Sequence, residues 1–238
     1  VLAGMFDWHN RERFEVHAYS WGPDDGSEWR RRIEQGCDRF VDISAESFEE
    51  SAARIAGDGM DILVNLSGYG GGSRNEIFAM RPAPLQIQWL GYLGTMAADF
   101  IDYVIADEVA LPPSIEASFT EAIVRLPNCA QVHDDRQSIA ESAPSRAKCG
   151  LPEKGFVFCG FNQSYKVDRA VFTCWMRLLR ALPGSVLWMI VTSPAARENL
   201  RIAAAANGVE PERIVYASPL PMADHLARHR LADLFLDT

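Results

Sequence analysis

An apolar, β-rich run over residues 156–161 ends abruptly in Asn162, Gln163, Tyr165 and Lys166, and a helical pattern follows at once. In an open α/β sheet, ligands bind at the carboxyl ends of the strands. A lysine there, beside amide side chains and a helix N-terminus, suits a phosphate or diphosphate. On this reading Lys166 is a point charge and Gln163 a hydrogen-bond partner. The plainer reading is a solvated lysine opening an ordinary helix, and position alone leaves both open.

His225 and Arg228 stand three residues apart, so they share one face of the helix expected after a strand at 213–217. That helix starts at the same sheet edge as Lys166. A histidine packs on a base or ribose, and an arginine reaches a phosphate or stacks on a base. With His229 and Arg230 following, the alternative is a basic helix end favoured by the macrodipole. Spacing alone favours that alternative.

Two further loops follow strands. Gly68-Tyr-Gly-Gly-Gly72 is glycine-rich but lacks the spacing and the Lys-Ser/Thr of a phosphate loop. Arg74, at the start of the next helix, is a candidate to face a cleft. Trp89-Leu-Gly-Tyr-Leu-Gly-Thr95 ends a strand with Gly91 and Gly94, which let a ligand approach the backbone or simply make a tight turn. His133-Asp134-Asp135 reads as surface, and Asp24-Asp25-Gly26 as a turn. No residue stands out as a general base.

These positions need a scaffold of alternating elements. Strands are expected at 14–20, 39–44, 60–67, 85–92, 102–107 and 122–126, with helices at 27–35, 46–56 (capped by Ser44) and 75–80. The first residues read as part of a helix. Residues 128–150 are polar and lack periodicity, which marks a linker. Beyond it, strands at 156–161, 185–191, 213–217 and 232–237 alternate with helices at 168–182, 195–207 and 222–230. Such a series makes a parallel sheet with right-handed crossovers. The expected class is α/β with two Rossmann-like lobes, residues 1–150 and 151–238, facing a cleft.

The chain has 238 residues, 48% of them hydrophobic, enough for a packed core. A net charge of -9 argues against a general nucleic-acid binder. No run of ~18 apolar residues suggests a membrane span. The 5 cysteines are scattered without a C-x-x-C pair, which fits a reducing compartment, and no metal site is expected.

Taken together, Arg81-Pro-Ala-Pro-Leu-Gln-Ile-Gln-Trp-Leu-Gly-Tyr-Leu-Gly-Thr95, Phe158-Cys-Gly-Phe-Asn-Gln-Ser-Tyr-Lys166, Pro183-Gly-Ser-Val-Leu-Trp188 and Leu231-Ala-Asp-Leu-Phe-Leu-Asp-Thr238 resemble the catalytic region of the O-linked N-acetylglucosamine transferase / SPINDLY family. The resemblance covers nearly the whole chain in order. It implies a GT-B fold, a cytoplasmic location, and inverting, metal-independent transfer of N-acetylglucosamine from UDP-GlcNAc to Ser/Thr hydroxyls of proteins, with no cofactor besides the donor. The implied partners are a nucleotide sugar and an acceptor protein, with tetratricopeptide repeats upstream. It implies that Lys166 clamps the diphosphate, that Gln163 contacts UDP, and that His225 and Arg228 lie on the uridine-contacting helix. Leu90 and Gly91 match the loop near the sugar, and Arg74 a cleft arginine on the acceptor side.

The departures bear on the same expectation. The family's catalytic histidines fall upstream of Val1, and its His-Thr-Thr segment falls just after Thr238. Met222 stands where a lysine often lies near the ribose, Leu93 replaces a proline, and Gly70 a threonine. The chain is therefore expected to be a fragment, inactive alone. Alternatives are the same fold with another donor, GDP-fucose or a UDP-hexose, and a non-catalytic nucleotide-binding scaffold.

Overall fold

A computed structural model describes residues 2–238. They form two compact units, one ending at Arg136 and the other spanning Gln137–Thr238. Residues 137–150 of the expected linker belong to the second unit.

The first unit carries strands β1 (His17–Ser20), β2 (Arg39–Asp42), β3 (Ile62–Asn65), β4 (Leu85–Gln88), β5 (Tyr103–Ala106) and β6 (Ala122–Arg125). Helices α1 (Glu28–Gly36), α2 (Phe48–Gly57) and α3 (Asn75–Ala79) connect them. Every pairing is parallel. The strands form two separate sheets, β1-β2 and β3-β4-β5-β6. One core joins Ile43, Ile55, Leu63, Ile77 and Phe78, with Tyr19 and Val41 packed against it, so both sheets share the cover provided by α2. Leu2–Trp8 forms a 3-10 helix.

Two expectations change here. The cap of α2 is Ser47, not Ser44: the Ser47 hydroxyl accepts from the Glu50 amide, and the Glu50 carboxylate accepts from the Ser47 amide. This reciprocal box satisfies two otherwise orphaned donors and is worth about 1 kcal/mol. Asp134 is not a surface residue. Its side chain is 1% exposed and ion-paired with Arg32, which also reaches Asp7 at 3.5 Å.

The second unit holds β7 (Val157–Gly160), β8 (Val186–Ile190), β9 (Ile214–Ala217) and β10 (Leu234–Phe235), in the order β10-β7-β8-β9, all parallel. β7 is buried at every position, as a central parallel strand covered on both faces should be. Helix α4 (Arg169–Ala181) is capped by Asp168, whose Oδ1 accepts from the Val171 amide at 2.7 Å. Its Phe172, Trp175, Met176 and Leu179 recur at helical spacing and are buried, each contributing about 1.5–3 kcal/mol by area. Helix α5 (Pro194–Ala206) starts at a Ser193 cap, and α6 (Met222–Arg228) follows β9. Because the strands are parallel, all four carboxyl ends lie on one edge of the sheet.

Candidate functional site

At that edge, Phe161 is the first residue past β7. Its ring collects four neighbours. Trp188 of β8 meets it edge-on at 4.9 Å, His225 lies at 5.3 Å and His229 at 5.1 Å, and the Arg228 guanidinium stands over it at 4.8 Å. Arg228 is also 5.8 Å from the Trp188 ring. Residues of two neighbouring strands and of the α6 segment thus converge on a single aromatic platform.

Arg228 is 2% exposed. It donates to the Ser218 carbonyl at 2.6 Å and from Nε to His225 Nδ1 at 3.0 Å. Among the described residues, no carboxylate pairs with it. Burial pulls its pKa down, and the nearby Cys149 and Cys159 partly oppose this. Burying an ion costs on the order of several kcal/mol unless it is compensated. The two π-faces and two acceptors compensate in part.

His225 is set by the same contact. Its Nδ1 accepts from Arg228, so the proton sits on Nε2, which is left as a donor. Burial, then the Arg228 charge, then His229, push its pKa from 6.5 down to about 4. It is therefore neutral at physiological pH. His229 Nδ1 donates to the His225 carbonyl at 2.8 Å, tying the second ring to the first.

Past Phe161 the loop turns through a 3-10 helix, Ser164–Lys166, closed by the Lys166 amide on the Gln163 carbonyl at 2.9 Å. Asn162 Nδ2 donates to Asp237 Oδ1 at 2.8 Å, fastening this loop to the end of β10. The Thr238 amide, the Asn162 side chain and, more weakly, the Lys166 charge hold Asp237 below its usual pKa. Gln163, Tyr165 and Lys166 are exposed, and Lys166 forms no salt bridge among the described residues. Lys166, His225 and Arg228 thus stand on one sheet edge of one unit, as the sequence reading required.

In the first unit, Leu90 and Gly91 follow β4. Leu90 has φ 73°, a left-handed conformation that costs a branched residue free energy and marks a constrained loop. A Cβ on Gly91 would lie 2.0 Å from the Leu66 carbonyl oxygen, so only glycine fits beside the end of β3. The loop beyond is fixed by Glu121, which is 5% exposed and accepts from Thr95 Oγ1 at 2.7 Å and the Met96 amide at 2.6 Å. Arg74 is engaged in the protein: it donates to the carbonyls of Ile43 at 2.8 Å and Glu46 at 2.5 Å and lies over the Phe48 ring. These bonds brace the entry to α2.

Sequence reasoning passed over Phe161, Trp188, His229 and Glu121. An aromatic at the last step of a buried strand, just before polar loop residues, is the one local signal that singles out Phe161. The others depend on contacts distant in sequence. No group of three or more His, Cys, Asp or Glu side chains is placed to hold a metal ion among the described residues. No helix is long and apolar enough to cross a membrane.

The model of glycosyl transferase family 41 matches residues 1–144 and 139–238. A probable UDP-N-acetylglucosamine–peptide N-acetylglucosaminyltransferase SEC of Arabidopsis thaliana is 40% identical over 243 residues, covering 100% of this chain and 25% of the relative. A probable UDP-N-acetylglucosamine–peptide N-acetylglucosaminyltransferase SPINDLY of Solanum lycopersicum is 32% identical over 206 residues, covering 83% of this chain and 21% of its own length. The chain thus spans about a quarter of the curated relatives it matches. A mutant of the Thermobaculum terrenum O-GlcNAc transferase superposes with a TM-score of 0.86 at 32% identity, covering 100% of this chain and 45% of that one. With two parallel α/β units matched throughout, the fold is of the GT-B type, and the chain belongs to glycosyl transferase family 41.

Proposed function

We propose that the Gln137–Thr238 unit binds the nucleoside diphosphate of a sugar donor, and that the protein transfers N-acetylglucosamine from UDP-GlcNAc to Ser/Thr hydroxyls of proteins. The observation that carries this reading is the buried, carboxylate-free Arg228, held with His225 against Phe161 on the edge that also presents Lys166. A flat cationic group stacked on rings suits a pyrimidine base or ribose. An exposed, unpaired lysine on a neighbouring loop suits the diphosphate. The names of the SEC and SPINDLY relatives agree with this donor and acceptor class.

In the transfer, the acceptor hydroxyl oxygen bonds to the anomeric carbon and gives up its proton to solvent as the bond to the β-phosphate oxygen breaks, and the electron pair leaves on the diphosphate. Inversion follows if the hydroxyl approaches from the opposite face. Negative charge grows on the departing phosphate, so Lys166 beside it binds the transition state more tightly than the ground state. Gln163 donates to the same group. This neutralises the leaving group without a metal. Leu90 and Gly91 shape the loop toward the sugar, and Arg74 acts on the acceptor side through the backbone it braces.

A different donor is the second reading, favoured by Met222. It is 49% exposed at the start of α6 and offers no cation to a ribose or phosphate. Titration of UDP, GDP, UDP-GlcNAc and GDP-fucose into the protein tests both. Tighter binding of the uridine pair supports the proposal, tighter binding of the guanosine pair replaces the donor, and binding of neither removes the nucleotide role.

A further inference from the structure

His229 stands where α6 ends. Its backbone amide turns back to the carbonyls of Leu226 and Ala227, and the His225 carbonyl accepts from the His229 ring instead, Nδ1 to oxygen at 2.8 Å. That bond holds the ring against α6. The ring meets that of His225 edge-on at 4.8 Å and 79°, and that of Phe161 at 5.1 Å and 89°. From β10, the strand beside β7, Phe235 lies nearly parallel to it at 6.2 Å and 22°. Three rings and a carbonyl therefore fix His229 itself.

The His225 ring is held differently. Its Nδ1 meets Nε of Arg228 at 3.0 Å and a second nitrogen of the same guanidinium at 2.6 Å. Both contacts act on one atom. They set the tautomer, but a ring held at one atom still pivots about it, and an imidazole turns on two side-chain torsions. Phe161, tilted at 57° and 5.3 Å away, and the edge-on His229 ring bound that pivot.

We propose that His229 is a positioning residue: it holds the His225 ring in the orientation that keeps Nδ1 on Arg228 and offers Nε2–H to a bound nucleoside. This rests on reading the edge as a nucleoside site. The contacts of His229 are already with Phe161, His225 and Phe235, so it acts through His225 and does not touch the nucleoside. A freed imidazole has to be ordered again on binding, which weakens affinity by about threefold to tenfold. The nucleoside lies away from the bond that breaks, so the loss falls equally on ground and transition states and raises KM without lowering kcat.

Histidine-selective ¹⁵N spectra, UDP titration and transfer kinetics on an intact protein that contains this chain test this. Without ligand, His225 is expected as the Nε2–H tautomer in wild type and in His229→Phe, which keeps a ring, and as a mixture of tautomers in His229→Ala. The Kd for UDP rises about threefold to tenfold in His229→Ala and less than about twofold in His229→Phe. The KM for UDP-GlcNAc follows the Kd, and kcat is unchanged. In a His225→Ala background, His229→Ala has no further effect on the Kd. Should His229→Ala not fold, His229→Gln, which removes the ring and retains a donor, is read in the same way. An unchanged tautomer in His229→Ala, equal losses in the alanine and phenylalanine variants, a fall in kcat, or additive losses in the double variant overturns the proposal. If wild type binds no UDP, the nucleoside reading falls, while the tautomer comparison decides separately whether His229 holds His225.

Discussion

Arg228 and His225 form a fixed pair: the guanidinium donates to Nδ1 of the imidazole at 3.0 Å, and a second donor of the same group holds the Ser218 carbonyl at 2.6 Å. One bond sets the histidine tautomer and the other anchors the arginine to the loop after β9. The pair presents a neutral N–H donor and a buried charge at one strand edge, over the Phe161 ring.

Arg228→Met keeps most of the packing on Phe161 and Trp188 but removes the charge. UDP affinity is expected to fall by about tenfold to a hundredfold, the worth of a charged hydrogen bond. The folded state should change little in stability, since removing a partly compensated buried ion is offset by leaving the Ser218 carbonyl and His225 Nδ1 without their donor. Calorimetric titration and urea unfolding check the two halves separately.

His225 gives a pH signature. Its folded pKa of about 4 lies below the ordinary 6.5, so between these values the unfolded chain binds a proton that the folded chain does not. Stability therefore falls as pH drops from 6.5 toward 4 and is insensitive to this group above that window. The fall should be shallower in His225→Gln. Urea midpoints of both proteins across that range measure the difference.

Gly91→Ala places a methyl group against the Leu66 carbonyl, which is backbone and cannot swing away. The loop of residues 90–95 must shift. We expect loss of transfer activity at undiminished UDP affinity, because the nucleotide contacts proposed above lie in the other unit. Parallel transfer and binding assays separate these.

Ser47→Ala removes one partner of the α2 capping box and should cost about 1 kcal/mol, whereas Ser44→Ala should cost little. Thermal unfolding of the two variants distinguishes the caps.

The fold was legible because its signals are local. β7 and β8 are unbroken apolar runs, α4 shows its face at helical spacing, and Pro183-Gly184 separates them. The place of Lys166 in the loop after β7 was legible because the apolar run ends just before it. The cap of α2 was misplaced because two serines three residues apart both precede a helical pattern, and only Ser47 has a glutamate three residues on. Asp134 looked like solvent-facing charge because its partner, Arg32, lies 102 residues away. The burial of Arg228 was illegible for the same reason: Phe161 and Trp188 come from strands far upstream. The division of the first unit's strands into two sheets follows from strand order in space, which hydropathy does not encode.

The central claim is that Lys166 grips a donor diphosphate on the edge where Arg228 and His225 hold the nucleoside. The most direct measurement is transfer of radiolabelled N-acetylglucosamine from UDP-GlcNAc to protein by an intact protein that contains this chain, comparing wild type with Lys166→Ala. Lys166 is exposed and outside the core, so the variant should fold normally, with its rate reduced by about 10²–10³. Near-normal turnover by a folded Lys166→Ala protein would contradict the account.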